Sequence, residues 1–195
     1  MTTLLLEKLK NKVESWKSEG YPGITSETRK ILNHIYKVNY LYRPQKEAFE
    51  TYIYLKEILG NKTTSDIIPS LYESDRELIE SLSISPDEKV DLAYDPERDK
   101  KIRELIEEQY GQFAYPNQVY ALTMGAGKTL LMGTLVMYEF ILSSQYPEDP
   151  KFAKNILVFA PDTTIIESLK EIKSFDYRIV VPKEYENVVL NIKYH

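Results

Sequence analysis

A chain of 195 residues with 43% hydrophobic and 28% charged side chains has the composition of an ordinary globular protein, long enough for one domain with a lead-in or for two small units. Cysteine is absent and His34 and His195 are the two histidines, which excludes disulfides, thiolate chemistry and a Cys/His zinc site. The net charge of −5 argues against a strongly basic nucleic-acid module, although a locally positive channel is compatible with it.

No basic region precedes the leucines of Met1-Thr2-Thr3-Leu4-Leu5-Leu6, so no signal peptide is expected. Leu130 to Leu142 is too short to span a bilayer and is interrupted by Gly133 and Glu139. A cytoplasmic protein without a membrane partner is the expectation. Residues 4–17 place Leu6, Leu9, Val13 and Trp16 at helical spacing, which makes Trp16 a core residue. Gly20-Tyr21-Pro22-Gly23 is a turn, and Thr25 caps a second helix through Ile31, Leu32, Ile35 and Tyr36. A third helix is bracketed by Pro44 and Gly60 and carries Phe49, Tyr52, Ile53 and Leu55.

Residues 61–116 read as a helical insertion. Ser70-x-x-Glu73 has the form of a capping box for a helix with Leu71, Leu78 and Leu82. Asp95-Pro96 opens another, with Ile102, Leu105 and Ile106 inward and Gly111 as its stop. Between them Ser83 to Tyr94 reads as a polar loop. Its Pro86-Asp87-Glu88-Lys89 puts carboxylates side by side, whereas a metal nuclease takes them from separate strands.

The stretch with chemistry follows. The apolar run Gln118-Val119-Tyr120-Ala121-Leu122 predicts a strand, Thr123-Met124-Gly125-Ala126-Gly127 a turn, and Lys128-Thr129 the start of a long apolar helix. Gly125 and Gly127 let the backbone bend so that successive N–H groups, including that of Ala126, face one hollow at the positive end of the helix. Lys128 can reach β- and γ-phosphates, and the Thr129 hydroxyl is placed to ligate Mg²⁺. A strict Walker sequence has glycine where Leu122 stands, so the surviving pattern is Gly-x-Gly-Lys-Thr. Further on, Asn155 to Ala160 predicts a buried strand ended by Pro161 and Asp162, and Thr163 or Thr164 caps a helix through Ile165, Ile166 and Leu169. Arg178 to Val181 and Val188 to Ile192 are strand-like. That order predicts an α/β fold with a parallel sheet. The expected domains are an N-terminal helical part over 1–60, the insertion over 61–116 and the α/β part over 117–195.

Three of these segments resemble one family. Tyr42-Arg43-Pro44-Gln45-Lys46-Glu47-Ala48-Phe49-Glu50-Thr51 resembles the arginine–glutamine motif that precedes the P-loop of superfamily 2 helicases. Residues 121–129 resemble their motif I, and residues 156–166 their motif Ia. Within that superfamily the likeness is to the Res subunit of type III restriction enzymes and its DEAD-like relatives. The resemblance implies a partial RecA-like domain that binds ATP and Mg²⁺, with Gln45 on the adenine edge supported by Arg43. It implies that Lys128 and Thr129 serve catalysis, that Thr163 and Thr164 bind a DNA strand by its phosphates, and that double-stranded DNA is a partner. A methyltransferase subunit is the implied partner. The chain ends before the family's acidic box, second RecA-like domain and nuclease. It is therefore expected to be the N-terminal piece of a longer DNA translocase, binding ATP without useful turnover. The alternatives are a nucleotide-gated DNA-binding module without hydrolysis, or a small P-loop phosphotransferase; the latter needs a lid of acidic and arginine residues that the sequence after Thr129 lacks.

Overall fold

The computed structural model describes residues 2–111, 114–123, 125–159 and 176–192, and every regular element among them is helical. The α-helices are α1 (Thr2–Ser18), α2 (Ser26–Val38), α3 (Arg43–Ile53), α4 (Thr64–Ile67), α5 (Asp75–Ser81), α6 (Pro86–Ala93), α7 (Arg98–Tyr110), α8 (Lys128–Gln145) and α9 (Glu186–Leu190). They fall into two compact units, one formed by Met1–Pro22 with Leu59–Val119, the other by Gly23–Ile58 with Tyr120–His195.

In the first unit the apolar faces of α5, α6 and α7 meet around Leu78, Ile79, Leu92, Ile102 and Ile106, and the partly buried Leu5 and Leu9 of α1 pack on the same core. Helix starts are set by local chemistry. Ser74 Oγ accepts from Glu77 N at 3.3 Å and begins α5, while the Glu77 carboxylate accepts from Glu73 N at 2.9 Å. The expected capping box at Ser70 is therefore four residues early: Pro69 and Ser70 lie in a 3-10 turn, Ile68–Leu71. The expected polar loop over 83–94 is also corrected. Ser85 and Glu88 cap each other reciprocally, with Ser85 N donating to the Glu88 carboxylate at 2.8 Å, and Pro86 occupies the first helical position of α6. Pro86-Asp87-Glu88-Lys89 is the first turn of a helix. Lys12 pairs with Glu73 at 2.5 Å and Lys8 with Glu77, which ties α1 to the start of α5.

The second unit is built around α8, which packs against α2, α3 and α9. Most of its middle is buried, including Leu131, Met137, Tyr138, Ile141 and Leu142, as a helix apolar on all sides requires. Thr25 caps α2 by accepting from Thr28 N at 3.2 Å. Helix α3 continues into a π-helical turn, Tyr54–Ile58, which carries two polar attachments. Lys56 meets Glu139 of α8, and Glu57 accepts from Thr25 N at 2.7 Å, Thr28 Oγ1 at 2.5 Å and Tyr138 Oη at 2.6 Å.

The expected parallel sheet is overturned: no strand occurs among the described residues. Residues 118–123 carry no regular structure, and neither do the described residues of 155–160. Leu157 is 77% and Phe159 84% exposed, so this run is not the buried strand its composition suggests. A strand persists where neighbouring backbone satisfies its N–H and C=O groups, and these segments have no such ladder. The two later strand-like runs are turns and helix instead. Asp176 accepts from Arg178 N to start a 3-10 turn, Tyr177–Ile179, and Glu186–Leu190 forms α9. Periodicity in such short apolar runs is compatible with either strand or helix.

Candidate nucleotide-phosphate site

The site is assembled from the N-terminus of α3 and the turn before α8, both within the second unit. Gly125 and Gly127 have φ of +78° and +72°, the left-handed conformation that glycine enters without strain. Ala126 N donates to Thr123 O at 3.2 Å and closes the turn. Gly127 is the N-cap of α8, and having no side chain it supplies no acceptor of its own to the first helical N–H groups. The first intrahelical bond runs from Leu131 N to Gly127 O at 3.0 Å. Lys128 is exposed, and its ammonium donates to Thr123 O at 2.9 Å. Thr129 is half-buried in the first turn of α8.

Gln45 reaches this turn from α3 and is fully buried. Its Nε2 donates to Ala126 O at 3.1 Å and Gly127 O at 3.0 Å, and its Oε1 accepts from Tyr42 N at 2.8 Å. The orientation of the amide is forced: two carbonyls on one side require the NH₂, and one N–H on the other requires the oxygen. A Cβ added at Gly127 would lie 2.1 Å from Gln45 Nε2, so the approach of Gln45 demands glycine there.

The structure thus brings Gln45, Gly125, Ala126, Gly127, Lys128 and Thr129 into one small region. Arg43 is exposed on α3 and pairs with Glu47 one turn on, at 2.6 Å. Thr163 and Thr164 lie outside the described residues, as does Met124. Among the described residues no group of three or more His, Asp or Glu side chains could hold a metal ion. Thr129 would be the one side-chain oxygen of the turn's helical end available to a nucleotide-bound Mg²⁺.

Sequence reasoning missed the polar groups that support α8 from below. Glu139 accepts from Tyr52 Oη at 2.5 Å and Ala153 N at 2.6 Å, besides its ion pair with Lys56. Burial, then the Glu139 carboxylate beside it, push the Tyr52 hydroxyl well above its ordinary value. The only sequence hint was the spacing of Tyr52 and Lys56, four apart on one helix face.

Compared with protein-family models, curated proteins and solved structures, the chain matches none. Among the described residues no helix is long and apolar enough to cross a membrane.

Proposed function

We propose that the turn from Thr123 to Thr129 binds the phosphates of ATP, and that the chain is the ATP-binding part of an ATP-dependent DNA translocase of the type III restriction class. The observation that carries the nucleotide reading is the start of α8. A glycine in left-handed conformation caps a long buried helix, supplies no side-chain acceptor of its own to the first N–H groups, and is followed at once by a lysine. That combination offers aligned N–H donors, the positive end of the helix dipole and a mobile cation to one polyanion. Lys128 would exchange its bond to Thr123 O for phosphate oxygens, and Thr129 would contribute a hydroxyl to nucleotide-bound Mg²⁺. The turn carries no carboxylate or imidazole, so it neutralises and positions phosphate but supplies no general base to take a proton from water. Binding is what these residues supply.

The translocase reading rests on the residues of the arginine–glutamine and glycine–lysine segments and not on a sheet. Its partners, duplex DNA and a methyltransferase subunit, belong to the same proposal.

Titration calorimetry with Mg-ATP tests the nucleotide part. Binding by the parent chain, weakened about tenfold to a hundredfold in Lys128→Ala, is the expected result, since a charged hydrogen bond contributes roughly 1.5–3 kcal/mol. No binding, or binding indifferent to Lys128→Ala, overturns it. Duplex DNA added to the ATP-loaded protein, followed by fluorescence anisotropy, tests the rest. Failure there removes the translocase and leaves the nucleotide site standing.

A further inference from the structure

We infer that Gln45 is a positioning residue that sets the direction of the N–H groups in the glycine turn and takes no part in reading the base. This rests on the phosphate-binding role proposed for the turn, and it reverses the adenine-recognition role that the sequence resemblance implies for the same residue.

The amide of Gln45 is fully committed. Both N–H bonds go to turn carbonyls, the oxygen accepts from Tyr42 N, and no part of the residue reaches solvent. Reading an adenine edge requires one donor and one acceptor from the same amide, presented together. Gln45 could present them only by abandoning three hydrogen bonds, which leaves Tyr42 N and the Ala126 carbonyl without these partners and the Gly127 carbonyl with Leu131 N alone. A buried polar group left unpaired is costly, so the exchange is unfavourable.

What the three bonds accomplish follows from peptide geometry. In a planar trans peptide the N–H points opposite to the carbonyl it is joined to. Gln45 draws the carbonyls of Ala126 and Gly127 toward α3. The N–H groups of the same two peptide units, those of Gly127 and Lys128, are thereby turned away from α3. Donors that face outward from such a turn form an anion-binding hollow. Gln45 thus orients the phosphate-binding donors without touching phosphate. It fills the space where a Cβ on Gly127 would stand, so the glutamine and the glycine form one device. Selection among bases has no source in this residue.

The test compares the parent chain with Gln45→Glu, and with Gln45→Met as a volume-conserving variant if the carboxylate prevents folding. Three probes are titrated: Mg-ATP, Mg-GTP and inorganic tripolyphosphate, which has no base. A loss of about tenfold, equal for all three probes, is the expected result. A loss confined to ATP, with GTP and tripolyphosphate unchanged, shows that Gln45 reads adenine and overturns the inference. Amide hydrogen exchange on the ligand-free protein provides a readout that does not depend on nucleotide binding. Faster exchange in the variants at Gly127 through Leu131, with α2 unchanged, supports the clamp, and unchanged exchange there overturns it. If the parent binds no probe, the proposed function fails, and the exchange result alone decides the role of Gln45. Coupling supplies a last check: Gly127→Ala should be less damaging in a Gln45→Ala background than in the parent, and equal damage overturns the pairing.

Discussion

Lys56 and Glu139 meet at 2.5 Å with side chains only 8% and 5% exposed, joining the π-helical turn after α3 to the middle of α8. Tyr52 Oη and Ala153 N donate to the same carboxylate, so three donors compensate its removal from water. Lys56→Met would leave a buried negative charge with neutral partners only. A loss of about 3–5 kcal/mol in urea unfolding is expected, and Glu139→Gln, whose single amide oxygen can accept from Tyr52 or Ala153 but not from both, should also destabilise. A Lys56→Met protein as stable as the parent would show that the pair contributes nothing.

Two tyrosines should resist alkaline titration. Burial first, and then the negative charge of Glu139 beside Tyr52 and of Glu57 beside Tyr138, push both hydroxyls above their ordinary value. A raised value means the fold favours the protonated form. The stabilisation is fully present below the unfolded value of about 10 and is lost as pH rises past it. Tyrosinate absorbance followed together with circular dichroism should show these two groups ionising only as the helices melt. All 16 tyrosines titrating while the helical signal is intact would refute this.

Acid should weaken the first unit. Lys8 holds the Glu77 carboxyl below the usual carboxylate range, Lys101 does so for Asp95, and the hydroxyl and N–H of Ser85 do so for Glu88. Depressed folded values give stabilisation that is present above the unfolded values, near pH 4, and is lost as pH falls through the folded ones. Ser85→Ala, which removes the N-cap of α6, should cost about 1 kcal/mol at neutral pH. It should also reduce the acid-dependent part of the loss. Unfolding curves for parent and variant across acidic pH make the comparison, and parallel curves would assign no role to Ser85.

The exposed run after Asn155 separates the helical structure from the sheet expected from sequence. Leu157→Ser and Phe159→Ser change side chains that face water, so each should shift stability by less than about 0.5 kcal/mol. As a buried central strand, Phe159→Ser would cost several kcal/mol, comparable to other large-to-small core changes of about 3–5 kcal/mol. A large drop in the urea midpoint would restore the buried strand.

Features set by neighbours in the chain were legible in the sequence. Thr25 caps α2, Trp16 is buried, Pro44 stands in the first turn of α3, and Gly125 and Gly127 make the turn before α8. Each depends on groups a few residues apart, so residue type and spacing carry the information. The capping chemistry of Ser85-Pro86-x-Glu88 is equally local, and its reciprocal bonds start α6 where a polar loop is expected.

What only the tertiary structure decided depends on distant partners. Gln45 and the turn it holds are 81 and 82 residues apart in sequence, and nothing in either segment states that one amide serves two carbonyls of the other. The grouping of α1 with α5, α6 and α7 arises because those short helices each expose an apolar face that none of them can bury alone. The fate of Ile156 to Phe159 was undecidable locally, because an apolar run becomes a strand, a helix or an exposed segment according to the backbone that comes to lie beside it.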